Sequence, residues 1–198
     1  MSTAEKFTSA DLKLMPEDGK LYEVIEGNLY VSKQPSSQHQ YACGRLFRFL
    51  NEWDDRSGSG IAIIAPGLIF GEDDDVAPDV VWISKERLAN ALDETGHLRV
   101  APELVVEVLS PGKANEDRDR QVKLKLYSRR GIREYWIVDW MNQQVEIYRR
   151  DNARLALVAT LHAQDSIETP LLPDFSCRVG LLFYLSPRKE SLPLQWRG

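Results

Sequence analysis

Residues 103–109 lie between Pro102 and Pro111 and read Glu-Leu-Val-Val-Glu-Val-Leu. The stretch is too short for a stable helix and is rich in valine and leucine, so it reads as a buried strand in the middle of a sheet. Alternation then sends Glu103, Val105, Glu107 and Leu109 to one face and Leu104, Val106 and Val108 to the other. A sheet built around this strand must take Glu107 into its interior, where an ionised carboxylate is expensive to desolvate. The fold therefore has to supply Glu107 with a cation, a hydrogen-bond network or a raised pKa.

The segments before this strand offer partners for it. Residues 8–15 read as a short helix ended by Pro16, with a turn at 17–19. Residues 21–26 and 29–32 flank Gly27-Asn28 as a β-hairpin, with Glu23 and Glu26 on opposite faces, so that at most one of them faces a given site. Ser37 and Gln40 stand at capping-box spacing at the start of a helix running to about Asp55. Its apolar face carries His39, Cys43, Leu46, Leu50 and Trp53, so His39 begins the inward stripe, either as a hydrogen-bonded core histidine or as a site residue. Residues 61–65 and 68–70 read as one strand interrupted at Pro66-Gly67, residues 71–75 as a solvated acidic turn, and residues 80–83 as a strand with Asp79 at its start. Residues 85–96 read as a short surface helix capped by Gly96.

After the central strand a helix is expected from about Glu116 to Arg130, stopped by Gly131, with Asp119, Val122, Lys123, Leu126 and Tyr127 on its inward face. Asp119 and Lys123 stand at i, i+4, which suits a local ion pair whose lysine stem reaches solvent, or a lysine turned into a site. From Arg118 to Arg133 seven lysines and arginines accompany one acid, a basic segment that faces either phosphates or water. Residues 134–139, 144–148 and 155–161 supply further strands, and the remainder reads as turns, a short helix near residues 179–185 and a loose tail.

At 198 residues the chain has the length of one domain, residues 1–198, with a core at about 20–150 and a C-terminal extension at 151–198. It carries no apolar run of membrane-spanning length and no signal-peptide core at its N-terminus, so a cytoplasmic protein with no membrane partner is expected. Cys43 and Cys177 read as buried small hydrophobes. A net charge of -5 speaks against a general nucleic-acid coat protein and leaves room for a local basic surface. Gly112-Lys113 lacks the glycine of a phosphate loop, no Gly-x-Ser-x-Gly elbow occurs, and His39, His97 and His162 show no zinc spacing.

An aspartate at the start of one strand, a glutamate on the next and a lysine on the following helix are the parts from which metal-dependent phosphodiesterases are built. Pro78-Asp79 followed by Glu107-Val108-Leu109 resembles the PD-(D/E)XK signature of restriction-endonuclease-like nucleases, with Leu109 where that signature has its lysine. The residues are closer still to the Uma2 family of restriction-endonuclease-like proteins. Six segments resemble it in order: Tyr22 to Gly27, Pro35 to Gln40, Pro78 to Val81, Glu103 to Pro111, Asp119 through Lys123 to Tyr127, and Gly131 to Asp139.

The resemblance implies an α/β fold with a restriction-endonuclease-like core in αβββαβ order, a mixed central sheet flanked by helices, with the N-terminal hairpin and the C-terminal strands added. It implies a metal-dependent endonuclease acting on DNA phosphodiesters, with Asp79, Glu107 and the migrated Lys123 as the catalytic set. Mg²⁺ or Mn²⁺ would be held by Asp79, Glu107 and the backbone oxygen of Val108. The acid that such proteins carry on the first core helix has no counterpart here, and either His39 or Glu23 completes the site. Tyr127 is a further auxiliary residue, Arg118 and Arg120 are the expected nucleic-acid contacts, and a homodimer is expected. The alternative is a non-catalytic nucleic-acid or protein-binding module on the same fold.

Overall fold

A computed structural model describes residues 6–183. In chain order the elements are α1 (Ser9–Leu12), β1 (Leu21–Ile25), β2 (Asn28–Ser32), α2 (Ser37–Ser57), β3 (Gly60–Ile64), β4 (Leu68–Gly71), β5 (Asp74–Val76), β6 (Val80–Ser84), α3 (Lys85–Leu88) and β7 (Leu104–Val108). They continue with α4 (Lys113–Asp117), a π-helical turn (Arg118–Lys123), α5 (Leu124–Arg130), β8 (Glu134–Asp139), β9 (Gln144–Asp151), β10 (Arg154–His162), β11 (Ser166–Thr169), β12 (Leu172–Arg178) and a 3₁₀ turn (Val179–Leu182).

The main sheet has the order β10-β9-β8-β7-β6-β3, and only β7 and β8 run parallel. Parallel neighbours need a crossover, and the α4 to α5 segment provides it. Taking α2, β3, β6, β7, that crossover and β8 in order gives αβββαβ, the expected core. The strand framed by the two prolines is β7, buried at every position. Leu104, Val106 and Val108 pack with Leu46, Leu50 and Trp53 of α2. On the opposite face Val105 and Leu109 pack with Leu126 and Tyr127 of the crossover and with Ile25, Leu68 and Val76 of a second sheet, ordered β2-β1-β5-β4. The second sheet thus covers the face that carries Glu107.

Helix α2 begins one residue earlier in its capping than the sequence suggests. Ser36, in extended backbone, accepts a hydrogen bond from His39 N at 3.2 Å, so Ser36 rather than Ser37 is the cap. The helix ends at Gly58, whose φ of 63° suits the left-handed cap and whose N–H donates to the Asp54 carbonyl.

Several local expectations are corrected. Residues 60–71 are not one interrupted strand, because the chain leaves the main sheet at Pro66-Gly67 and β4 joins the second sheet. The acidic turn at 71–75 is not fully solvated: Asp74 is buried and accepts from Arg130 Nε at 3.0 Å. The surface helix after β6 stops at Leu88, and residues 89–100 form turns held against β4, where Leu98 N donates to the Gly67 carbonyl and its own carbonyl accepts from Ile69 N. The C-terminal region contains the hairpin β11–β12, whose Ile167, Leu172, Phe175 and Cys177 complete the core beneath α2, so residues 166–178 are paired strands and not the turns expected. Alternating short runs broken by Pro170 and Pro173 hid this hairpin from a reading by periodicity. The remainder of the expected helix and tail, from residue 184, lies outside the described residues.

Candidate active site

Asp79 precedes β6, and the antiparallel register Val80↔Val106 puts it, one step further along, opposite Glu107. The chain needs no long-range accident to bring these two acids together. The backbone N–H of Val108 donates to Asp79 Oδ2 at 2.7 Å and fixes the aspartate against the end of β7. His39, in the first turn of α2, places Nε2 3.2 Å from the same Oδ2 and its Nδ1 3.5 Å from Cys43 Sγ.

Glu107 receives two donors on one oxygen. Lys123 Nζ lies 2.9 Å and Tyr127 Oη 2.7 Å from Oε1. Lys123 also reaches Glu23 Oε1, at 3.0 Å, so β1 of the second sheet and β7 of the main sheet are tied through one ammonium. Glu23 Oε1 accepts in addition from Ala77 N at 3.0 Å, whereas its Oε2 is buried with no hydrogen-bond partner among the described residues. Arg118 Nη1 stands 3.9 Å from that Oε2, beyond hydrogen-bond reach, and Arg118 is itself held by Asp119, at 3.2 Å from Nε, and by Ser32.

Glu23, Asp79, Glu107 and Asp119, with His39, Arg118 and Lys123, line one cavity of about 510 Å³. Burial is the main reason that the Glu107 carboxyl is pushed up to about 8; Lys123 opposes the shift, and the charges of Asp79, Asp119 and Glu23 add to it. Burial likewise raises Asp119, against the pull of Lys123 and Arg118. Burial would by itself discharge Lys123, but Glu107, Glu23 and Asp119 hold its proton more firmly than usual. The buried Tyr127 hydroxyl, next to Glu107, stays protonated far above its ordinary range. Four carboxylates thus face two buried permanent cations, Arg118 and Lys123, and a proton or a divalent cation relieves the excess.

The residues suit a hard divalent cation on one further ground. Both contacts of Asp79 fall on Oδ2 and both of Glu107 on Oε1, which leaves Asp79 Oδ1 and Glu107 Oε2 unengaged on two residues that line the cavity. Carboxylate oxygens in this number are the donors that Mg²⁺ and Mn²⁺ prefer.

The π-helical turn decides how the crossover meets this cavity. Expected as a uniform α-helix, it widens over Arg118–Lys123, and Tyr135 Oη donates to the Asp119 carbonyl at 3.0 Å. Lys123 is 2% exposed and paired across the fold to Glu107 and Glu23, so its stem does not reach solvent, and Asp119 pairs with Arg118. Of the two arrangements that i, i+4 spacing allowed, the structure takes the lysine turned inward rather than the local pair with Asp119.

Most positions of the basic segment pair with carboxylates, and Lys125 and Arg129 do so while exposed to water. Lys125 and Arg129 pair with Glu26, Arg130 with Asp74, and Arg120 with Glu116, Asp139 and Glu146. Of the two expected nucleic-acid contacts, Arg118 lines the cavity while Arg120 is turned to β8 and β9. Glu23 enters the site and Glu26 points to the other side of β1, as alternation requires. Cys43, read as a core hydrophobe, is buried in the core and also touches His39, and Ser32 and Asp119 join the cavity wall; the i, i+4 spacing of His39 and Cys43 was the available signal.

A mixed sheet flanked by helices, with two acids and a lysine gathered at the end of its parallel and antiparallel junction, defines a restriction-endonuclease-like fold. A crystal structure from Anabaena variabilis, described as "a putative nuclease belonging to DUF820", superposes with a TM-score of 0.70 at 18% identity, covering 89% of this chain and 97% of the other. A family model described as "Uma2: Putative restriction endonuclease" matches residues 9–180, and the chain belongs to that family. No curated protein matches the chain. Among the described residues no helix is long and apolar enough to cross a membrane.

Proposed function

We propose that the chain is a divalent-cation-dependent endonuclease that hydrolyses DNA phosphodiester bonds, with Asp79, Glu107 and Lys123 as its catalytic set. The observation that carries the proposal is the pair of unengaged carboxylate oxygens on Asp79 and Glu107, two residues that line one cavity beside a lysine that stays charged. The family's description and the fold of its solved relative support the same reaction class.

In this reading Asp79 and Glu107, with the Val108 carbonyl, hold Mg²⁺ or Mn²⁺, which when bound polarises a phosphoryl oxygen and acidifies a water. Val108 N–H keeps Asp79 in place, and Tyr127 fixes the Glu107 rotamer by donating to Oε1. Lys123 offsets negative charge between Glu107 and Glu23 and stands ready to oppose the charge that develops on the phosphate. Arg118, on the cavity wall, is the phosphate contact. Glu23 takes the fourth acidic position and His39 orients Asp79.

The two bonds that already satisfy Glu107 Oε1 favour a second reading, a non-catalytic binding module whose buried charges form a closed network. Calorimetric titration of Mn²⁺ and Mg²⁺ into the wild type, Glu107→Ala and Lys123→Ala separates the two. Saturable binding that Glu107→Ala loses and Lys123→Ala keeps supports the nuclease, and cleavage is then sought on single-stranded, duplex and branched DNA with Asp79→Ala as the inactive control. Absence of binding by folded wild-type protein, with and without DNA, overturns it.

A further inference from the structure

We propose that His39, Cys43 and Asp79 form a second cation site, selective for a thiophilic divalent cation of the Zn²⁺ type. His39 and Cys43 stand one turn apart on the buried face of α2, and Asp79 faces them from the start of β6. One ligand atom from each of the three residues lies within 4.8 Å of the other two. One separation already matches a coordination sphere: Cys43 Sγ is 3.5 Å from His39 Nδ1, and tetrahedral Zn²⁺ with ordinary Zn–N and Zn–S bonds spaces such a pair about 3.6 Å apart.

The two short contacts of His39 use opposite ring nitrogens, with Nε2 on Asp79 and Nδ1 on Cys43. Rotation of the imidazole, or of the Asp79 carboxylate, which is 23% exposed, would present one nitrogen to the same point as sulfur and oxygen. The fourth position opens on the cavity, which His39 and Asp79 line, so a cation has a path in and a water completes the tetrahedron.

The donor set selects the cation. Sulfur and imidazole nitrogen favour Zn²⁺ and its soft neighbours over Mg²⁺, which asks for oxygen. On binding, the S–H bond of Cys43 is replaced by the S–metal bond and the proton leaves to water, so the thiolate exists only with the cation. Nothing in this depends on Asp79 and Glu107 holding Mg²⁺ or Mn²⁺. If they do hold it, the two sites share Asp79, and Zn²⁺ excludes the hard cation.

Co²⁺ tests the site, because thiolate ligation gives it a near-ultraviolet charge-transfer band that oxygen ligands do not. The full chain is titrated with Co²⁺ under reducing conditions and then with Zn²⁺. One saturable equivalent with the charge-transfer band, displaced by one equivalent of Zn²⁺, is expected. The band should vanish in Cys43→Ala and in Cys43→Ser, which retain Cys177, and affinity should fall more than about tenfold in His39→Ala. It should persist in Glu107→Ala, whose loss of Mn²⁺ binding reports on the other site alone. Circular dichroism certifies that each variant is folded. Binding without the band, a band that survives in either Cys43 variant, or no binding to folded wild type overturns the proposal.

Discussion

Raising the pH of the cation-free protein from about 5 to about 8 should lower its stability, and Glu107→Gln should remove much of that loss. Burial lifts the Glu107 carboxyl from 4.5 to about 8 in the folded chain. Between those values the folded state keeps a proton that the unfolded state has released, so the unfolded state binds fewer protons and stability falls as pH rises. The contribution is fully present below the unfolded pKa and is lost as pH passes through the folded one. At 1.36 kcal/mol per unit the shift corresponds to roughly 5 kcal/mol, an upper bound for a carboxyl that shares its charge with Asp79 and Lys123. The assay is urea unfolding followed by circular dichroism, in a chelator, at intervals from pH 5 to pH 8. Wild type should lose a few kcal/mol over this range, whereas Glu107→Gln, which keeps the shape, should lose clearly less, the remainder coming from Asp119 and the other carboxyls that burial raises. Equal slopes in the two proteins, or wild-type stability that rises across the window, would refute the assignment of the buried proton to Glu107.

Other perturbations have equally definite outcomes. Lys123→Ala leaves the buried Glu23 and Glu107 without their shared cation and should cost about 3–5 kcal/mol at pH 8, where Glu107 begins to ionise, and less at pH 5, by the same unfolding assay. Tyr135→Phe removes the donor to the Asp119 carbonyl inside the π-helical turn; unfolding should show a loss of about 1–3 kcal/mol, and a weaker Mn²⁺ titration should follow from the altered aim of the turn. Gly60→Ala places a Cβ 2.4 Å from the Trp82 ring and 2.6 Å from the Ile83 carbonyl, so it should destabilise by about 1–3 kcal/mol and shift the tryptophan fluorescence, while a folded Gly60→Ala of wild-type stability would mean that β3 sits farther from β6. Addition of Mn²⁺ to wild type should raise the unfolding midpoint more at pH 8 than at pH 6, because the cation competes with the proton on Glu107; an equal rise at both would place the cation elsewhere.

The sequence by itself determined the central strand and its buried glutamate, because these rest on local signals, paired prolines and an apolar run, whereas the αβββαβ order came through the resemblance to a family. It also put Asp79, Glu107 and Lys123 forward through a family pattern, and the hairpin alternation left Glu23 free to face a site. Only the tertiary structure decided what those residues touch. Lys123 turned from its neighbour Asp119 to Glu107 and Glu23 because the π-helical turn and the second sheet set its surroundings, and neither leaves a mark in periodicity. The basic segment found carboxylates on the β1–β2 turn, β5, β8 and β9, partners distant in sequence and near in space. The β11–β12 hairpin gains its stability from burial under α2, a long-range contact that its proline-broken runs do not announce. Backbone pattern is written locally, whereas the charge state of a buried group is set by every element packed around it.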